Sequence, residues 1–364
     1  MERILLAKKI QEILVSSPAN MRSGVGFRGE GLVYISEQCR LVFTDSRYTI
    51  AAREECQEAE IIQYKGNLYE SWLSLLLERQ GKENLSGISI GYEDECMTVQ
   101  TYQTILALLK KYELSNIKLI PLHKRLDALR QIKSESEIRD IRRAEEIGDL
   151  AFTRIVEKIR ESREQGKMLT EKQVAAYLEF YMKEQGAEGT SFDTIAASGI
   201  HSSMPHAIPT DKVLEEGDFL TMDFGCKVNG YCSDMTRTIV IGKADEKQKE
   251  IYDVVLRAQQ AAIEAVRPGL KGCEVDAVSR DIIRDAGYGD CFGHSLGHSV
   301  GLLIHETPCF APRDESVLEP GMVITVEPGI YVEGFGGVRI EDVVVVTEEG
   351  CVDITNSPKE RMEI

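Results

Sequence analysis

Val213-Leu214-Glu215-Glu216-Gly217-Asp218-Phe219-Leu220-Thr221-Met222-Asp223-Phe224-Gly225 returns 104 residues later, without a gap, as Val317-Leu318-Glu319-Pro320-Gly321-Met322-Val323-Ile324-Thr325-Val326-Glu327-Pro328-Gly329. Val, Leu, Glu, Gly, Thr and Gly are identical in the two copies, and Asp223 falls on Glu327. Each copy follows two stretches of helical character, 135–160 and 171–184 before the first, 245–266 and 272–286 before the second. Each leads through a turn into a further strand. The pattern predicts a duplicated helix–helix–hairpin unit with pseudo-two-fold symmetry, the acidic residue of each copy facing the shared axis.

In the first hairpin, 219–226 leads to 231–241, and Asn229-Gly230 is a strong two-residue turn signal. That turn sets Asp223 opposite Thr236, with Asp234 its diagonal neighbour. A turn centred one residue earlier sets Asp223 against Asp234 itself. Both registers leave the two carboxylates on one face, because side chains alternate with period two. In the second hairpin, Glu327 and Glu341 are symmetric about Gly334, although the glycine-rich 333–337 permits other loop geometries. The run 343–346 marks a buried strand. Any one of these acids could be a solvated surface residue. The apolar neighbours of Asp223 (Leu220, Met222, Phe224) and of Glu341 (343–346) argue against that, whereas Asp218 and Asp342 carry no such argument and read as structural. Four inward carboxylates repel one another and are costly to bury unpaired; two divalent cations would balance them.

Three of the six histidines, His294, His298 and His305, fall within 293–306, among glycines that allow close backbone approach. Imidazole is both a transition-metal ligand and an acid/base near neutral pH. His206 precedes Asp223 by 17 residues, His201 is open between roles, and His123 reads as a surface residue. Carboxylates with one imidazole form a hard donor set, suited to manganese, cobalt, iron(II) or zinc rather than copper.

The rest of the chain sets the frame. Its 364 residues suit two domains, and 43% hydrophobic with 28% charged residues describes a globular protein. The net charge of −17 disfavours nucleic-acid partners. The richest apolar stretch, 105–109, is far too short for a membrane span, and the charge-interrupted start 1–10 does not read as a signal peptide. Nine scattered cysteines without a C-x-x-C pair read as reduced thiols, hence a cytoplasmic protein. Residues 1–121 alternate strands (32–35, 41–44, 87–92, 117–120) with helices (67–79, 98–112), predicting a smaller α/β domain. Residues 122–134 read as a polar linker, and Ser134 with Glu137 has capping-box spacing at the head of a second domain, 135–364. The fold class is therefore α/β (α+β).

Six segments in order carry a resemblance: Pro205-His206, Met222-Asp223-Phe224-Gly225, Ser233-Asp234-Met235-Thr236-Arg237-Thr238, Gly297-His298-Ser299-Val300-Gly301, Val326-Glu327-Pro328-Gly329 and Val338-Arg339-Ile340-Glu341-Asp342. Over about 135–355 the chain resembles the pita-bread metallopeptidases, the family of methionine aminopeptidase, aminopeptidase P and prolidase. Weaker matches at Thr44-Asp45-Ser46-Arg47-Tyr48-Thr49 and at 130–138 resemble the amino-terminal domain of the Xaa-Pro branch.

The resemblance implies that Asp223, Asp234, His298, Glu327 and Glu341 hold two divalent metals, manganese foremost, with Asp234 and Glu341 bridging both. It implies that Glu327 also serves as base, that His206 and His305 stabilise the tetrahedral intermediate, and that His294 and Arg339 line the site. A salt bridge between Arg339 and Glu341, two residues apart, is the other reading of that arginine. The substrate class is proline-containing peptides, the assembly a homodimer. The reading leans to aminopeptidase P, with prolidase as its alternative; a metal-free binding module or a creatinase-like amidinohydrolase would require lost ligands, and none is lost.

Overall fold

The computed structural model describes residues 10–364; the reading of the opening stretch therefore lies outside the described residues, except at Ile10. The chain divides into two units, the first running to Arg130 and the second spanning Gln131–Ile364.

The first unit is a six-stranded sheet built from β1 (Glu12–Val15), β2 (Gly31–Ser36), β3 (Arg40–Thr44), β4 (Glu60–Gln63), β5 (Ser89–Tyr92) and β6 (Lys118–Pro121), in the order β4-β3-β2-β1-β5-β6. Helices α1 (Pro18–Val25), α2 (Thr49–Glu55), α3 (Leu68–Leu85) and α4 (Val99–Lys111) accompany it. Alternation divides the apolar side chains between two cores. Ile13, Val15, Val33 and Val42 pack with Phe27 on one side, while Leu14, Leu32, Leu41 and Phe43 pack with Trp72, Leu76 and Ile105 on the other. The sequence reading omitted β1, β4, α1 and α2. Strand β1 lies near the middle of the sheet and is buried on both faces, so Glu12-Ile13-Leu14-Val15 shows no alternation to mark it. Residues 122–130, read as part of a linker, belong to the first unit. There α5 (Arg125–Ala128) forms, and Leu122 and Leu126, one helical turn apart, are buried in its core.

The second unit opens on α6 (Glu135–Glu164), capped reciprocally by Ser134 and Glu137, and continues with α7 (Glu171–Glu184), capped by Thr170 and Gln173. Strands β7 (Ile195–Ser198), β8 (Phe219–Phe224), β9 (Lys227–Val228), β10 (Tyr231–Cys232) and β11 (Met235–Val240) follow. Then come α8 (Glu246–Ala265) and α9 (Gly272–Ile283), followed by β12 (Gly297–Ser299), β13 (Glu306–Phe310), β14 (Val323–Val326), β15 (Gly329–Val332), β16 (Gly336–Arg339), β17 (Asp342–Val346), β18 (Cys351–Asp353) and β19 (Met362–Glu363). Strand β8 lies antiparallel between β7 and β11; β14 lies antiparallel between β12 and β17. The duplication extends to single contacts. Thr170 bridges Val213 as Lys271 bridges Val317, so each copy begins by pairing with the residue that opens its own second helix.

Helices cover one face of each sheet. Leu220, Met222 and Phe224 of β8 pack beneath α6 and α7, and Ile324 and Val326 of β14 pack beneath α8 and α9. Each such burial stabilises by roughly 1.5–3 kcal/mol. The period of two then turns Thr221 and Asp223, and Thr325, to the opposite face. The site is built there.

Candidate metal centre

Thr236 stands opposite Asp223, the register expected from an Asn229-Gly230 turn, and Tyr231 pairs with Val228 beside it. In the second hairpin, Val326 pairs with Asp342 and Gly329 with Arg339, so the ladders on both sides of Glu327 and Glu341 keep one register. Three of the four carboxylates sit where ladders are interrupted, and their backbone N–H groups turn elsewhere. Asp234 N–H donates to Glu145 Oε1 (2.9 Å), Glu327 N–H to the Leu296 carbonyl (2.8 Å) and Glu341 N–H to the Thr236 carbonyl (3.1 Å). The last of these ties the second hairpin to the first.

His298, on β12, joins the acids. Its N–H donates to Thr325 Oγ1 (3.0 Å), whose hydroxyl lies 3.2 Å from Glu327 Oε1. Its Nδ1 faces the Ser299 carbonyl at 3.2 Å; a carbonyl only accepts, so this nitrogen carries the hydrogen and Nε2 is left with a free lone pair. Nε2 lies 3.5 Å from Asp234 Oδ2 and 3.5 Å from Glu327 Oε1. Asp234, His298 and Glu341 each bring a ligand atom within 4.8 Å of the others.

The electrostatics suit cations. Burial, then the charges of Glu341, Asp223 and Glu327, holds the Asp234 carboxyl well above its usual range. Burial, then Glu327 and Asp223, does the same to Glu341, and burial followed by Asp223 pushes Glu327 up to about 8. Burial, with His305 next, lowers His298 to about 4, so the ring stays neutral and able to ligate. Asp223 Oδ1 and Glu341 Oε1 are buried without a hydrogen-bond partner, a costly condition that divalent cations would relieve. Oxygen-rich donors with one neutral imidazole therefore fit such ions.

Around this cluster the remaining expected residues take different stations. His305 is exposed, its ring centroid 4.5 Å from that of His298. His206 is exposed in the turn after Pro205, close enough to bear on the titration of His294. His294 Nε2 pairs with Tyr331 Oη at 3.0 Å, and burial, with the Arg339 charge next, lowers this ring to about 4. Arg339 forms its salt bridge with Asp223 (2.6 Å) rather than Glu341, because the chain leaves strand β16 after Arg339 and Glu341 turns to Thr236. It also donates to Tyr331 Oη (2.7 Å), Thr236 Oγ1 (2.9 Å) and the Pro205 carbonyl (3.3 Å). His201 is drawn instead to Glu171 (3.2 Å) and His123 to Asp94 (3.1 Å). The sequence reading missed Glu145, Thr236, Thr325 and Tyr331 as supporting groups. Glu145 had a signal, a charge inside the apolar stripe of α6; Tyr331 had none.

Residues 139–348 match the description Metallopeptidase family M24. The chain belongs to this family. Its first 132 residues match the Creatinase/Prolidase N-terminal domain. Among M24 relatives, an Xaa-Pro dipeptidase of Pyrococcus furiosus is 50% identical over 64% of this chain and 65% of its own length. One of Pyrococcus horikoshii is 38% identical over 99% of this chain and 94% of its own. Among solved M24 structures, an Xaa-Pro dipeptidase from Bacillus anthracis superposes with TM-score 0.91 at 41% identity, covering 100% of this chain and 98% of that one. An X-Pro aminopeptidase from Thermotoga maritima gives 0.88 at 37%, covering 100% of each. The M24 chain described here is thus a metallopeptidase of pita-bread fold, closest in kind to the Xaa-Pro peptidases. Of these four relatives the dipeptidases have the higher identities, so the leaning toward aminopeptidase P gives way to its alternative. Among the described residues no helix is long and apolar enough to cross a membrane.

Proposed function

We propose that this protein is an Xaa-Pro dipeptidase whose two divalent cations, manganese foremost, are held by Asp223, Asp234, His298, Glu327 and Glu341. The observation that carries the metal assignment is the buried meeting of carboxylates and one neutral imidazole across two related hairpins, with two carboxylate oxygens left unpartnered. The dipeptidase reading is supported by the M24 relatives of that activity. The bond before proline is a tertiary amide without an N–H, so recognition must rest on its carbonyl and on the chain ends.

When bound, the cations supply Lewis acidity toward the carbonyl and lower the pKa of a water. Glu327 takes a proton from the attacking water and passes it to the departing proline nitrogen. His305 and His206, both exposed at the site, donate to the oxygens of the peptide and stabilise the charge of the tetrahedral carbon's oxygen. His294 and Tyr331 line the site. Arg339 acts on the reaction through Asp223, whose carboxylate it orients at 2.6 Å. The test is to supply the purified chain with manganese and compare Xaa-Pro dipeptides with Xaa-Pro-Yaa tripeptides. Release of free proline from dipeptides with little tripeptide cleavage is expected; cleavage of tripeptides alone would reject the proposal.

A further inference from the structure

The buried face of α6 is apolar around Ile141, Ala144, Ile147 and Ala151, yet Glu145 lies within it at 0% exposure. No cation pairs with its carboxylate among the described residues. Its two oxygens have separate tasks. Oε1 accepts the backbone N–H of Asp234 at 2.9 Å, and Oε2 accepts the Thr355 hydroxyl at 2.9 Å. Thr355 Oγ1 in turn accepts the Val343 N–H at 3.0 Å, on the strand that begins directly after Glu341.

One side chain therefore reaches the metal-ligand segments of both halves. Asp234 sits in the gap between β10 and β11, where no ladder partner fixes its backbone. Glu341 sits in the corresponding gap between β16 and β17. At these gaps the two segments are joined by the Glu341 N–H to the Thr236 carbonyl (3.1 Å), and a residue of a rigid helix bonded toward both adds a second tie that reaches Asp234 itself.

We propose that Glu145 is a positioning residue of the metal centre, its carboxylate setting the backbone of Asp234 directly and the strand after Glu341 through Thr355. The inference rests on the functional reading above for the identity of the ligands, and it concerns cation affinity rather than peptide choice. Carboxylate shape is what it requires: Glu145→Gln keeps an oxygen toward the Asp234 N–H and an amide that can donate to Thr355, whereas Glu145→Met keeps the bulk and loses both bonds.

The test strips full-length wild type, E145Q, E145M and T355V with chelator, then titrates each with manganese by calorimetry and records the unfolding temperature of the metal-free chains. Manganese affinity should fall about 10–100-fold in E145M, as removal of groups that orient metal ligands typically does, and less in T355V, while E145Q stays within about threefold of wild type. Wild-type affinity in both E145M and T355V, even with a lowered unfolding temperature, would overturn the inference and leave Glu145 a packing residue. An E145Q as weak as E145M would overturn it too, because charge rather than position would then matter. If E145M does not fold, T355V decides: weakened affinity supports the inference and unchanged affinity overturns it. A wild-type chain that binds no manganese would overturn the functional reading and this inference with it.

Discussion

Thr236 gives its hydroxyl hydrogen to Glu341 Oε2 at 2.7 Å, so a residue of the first hairpin holds an acid of the second. Thr236 Oγ1 in turn accepts from Arg339 Nε at 2.9 Å, and Arg339 grips Asp223, which stands opposite Thr236 in the ladder. Thr236→Val keeps the β-branched shape and removes the hydroxyl, leaving buried polar groups on Glu341 and Arg339 without this partner. If the proposed activity is right, kcat/KM on an Xaa-Pro dipeptide should fall about 10–100-fold, and Thr236→Ser should retain most of it. Steady-state kinetics on an Xaa-Pro dipeptide would show it; a fully active valine variant would discount the contact.

Asp234 has a stricter role. Its carboxylate brings a ligand atom within 4.8 Å of those of His298 and Glu341, and burial with the charges of Glu341, Asp223 and Glu327 holds it well above the usual carboxylate range. Asp234→Asn keeps the volume but removes the charge that cations require. The purified variant should carry less metal by elemental analysis and release no measurable proline. Activity equal to wild type would refute its place as a ligand.

Metal removal should make stability depend on pH with a definite sign. In the metal-free fold Asp234, Glu327 and Glu341 hold their protons above the usual carboxylate range, Glu327 up to about 8. The folded chain then binds more protons than the unfolded one, and stability declines as pH rises. His294 and His298 oppose this below 6.5, because their folded values are lowered to about 4 and they are kept neutral where the unfolded rings would charge. Above 6.5 the histidine contribution fades and the acids outweigh it. The unfolding temperature of the chelated protein should fall between pH 6.5 and about 8, while that of the manganese-loaded protein should hold. A chelated protein that grows more stable across this window would contradict the crowding of the acids.

The frame behind the site is held by a buried ion pair. Arg237 Nη2 meets Asp342 Oδ1 at 2.6 Å with both side chains essentially inaccessible, and the Arg237 Nη1 hydrogen goes to the Glu341 carbonyl at 2.6 Å. Lys359 and Gln259 also converge on Asp342. Asp342→Asn leaves Arg237 as a buried charge without its counter-ion, which costs about 3–5 kcal/mol. Urea unfolding of the metal-free chains should register the loss; an unchanged midpoint would mean that the surrounding carbonyls suffice.

Several features were legible before any coordinates because they are local. The 104-residue repeat announced two related halves. Asn229-Gly230 marked the turn and left two registers open, both with the acids on one face; the fold takes the one that pairs Asp223 with Thr236. Ser134 and Glu137 announced the start of α6. Strand β1 escaped because a short run buried on both faces has no distinctive period.

What the sequence determined by itself was the duplication, the shared face of the paired acids and the kinds of residue that would converge. The tertiary structure alone decided which groups hold them: Glu145 and Thr355 meet across 210 positions, and Arg339 reaches Asp223 across 116. Nearest-neighbour periodicity carries no information over such separations. Those contacts exist only once helices and sheets have packed and buried polar atoms must find whatever partners the fold brings beside them.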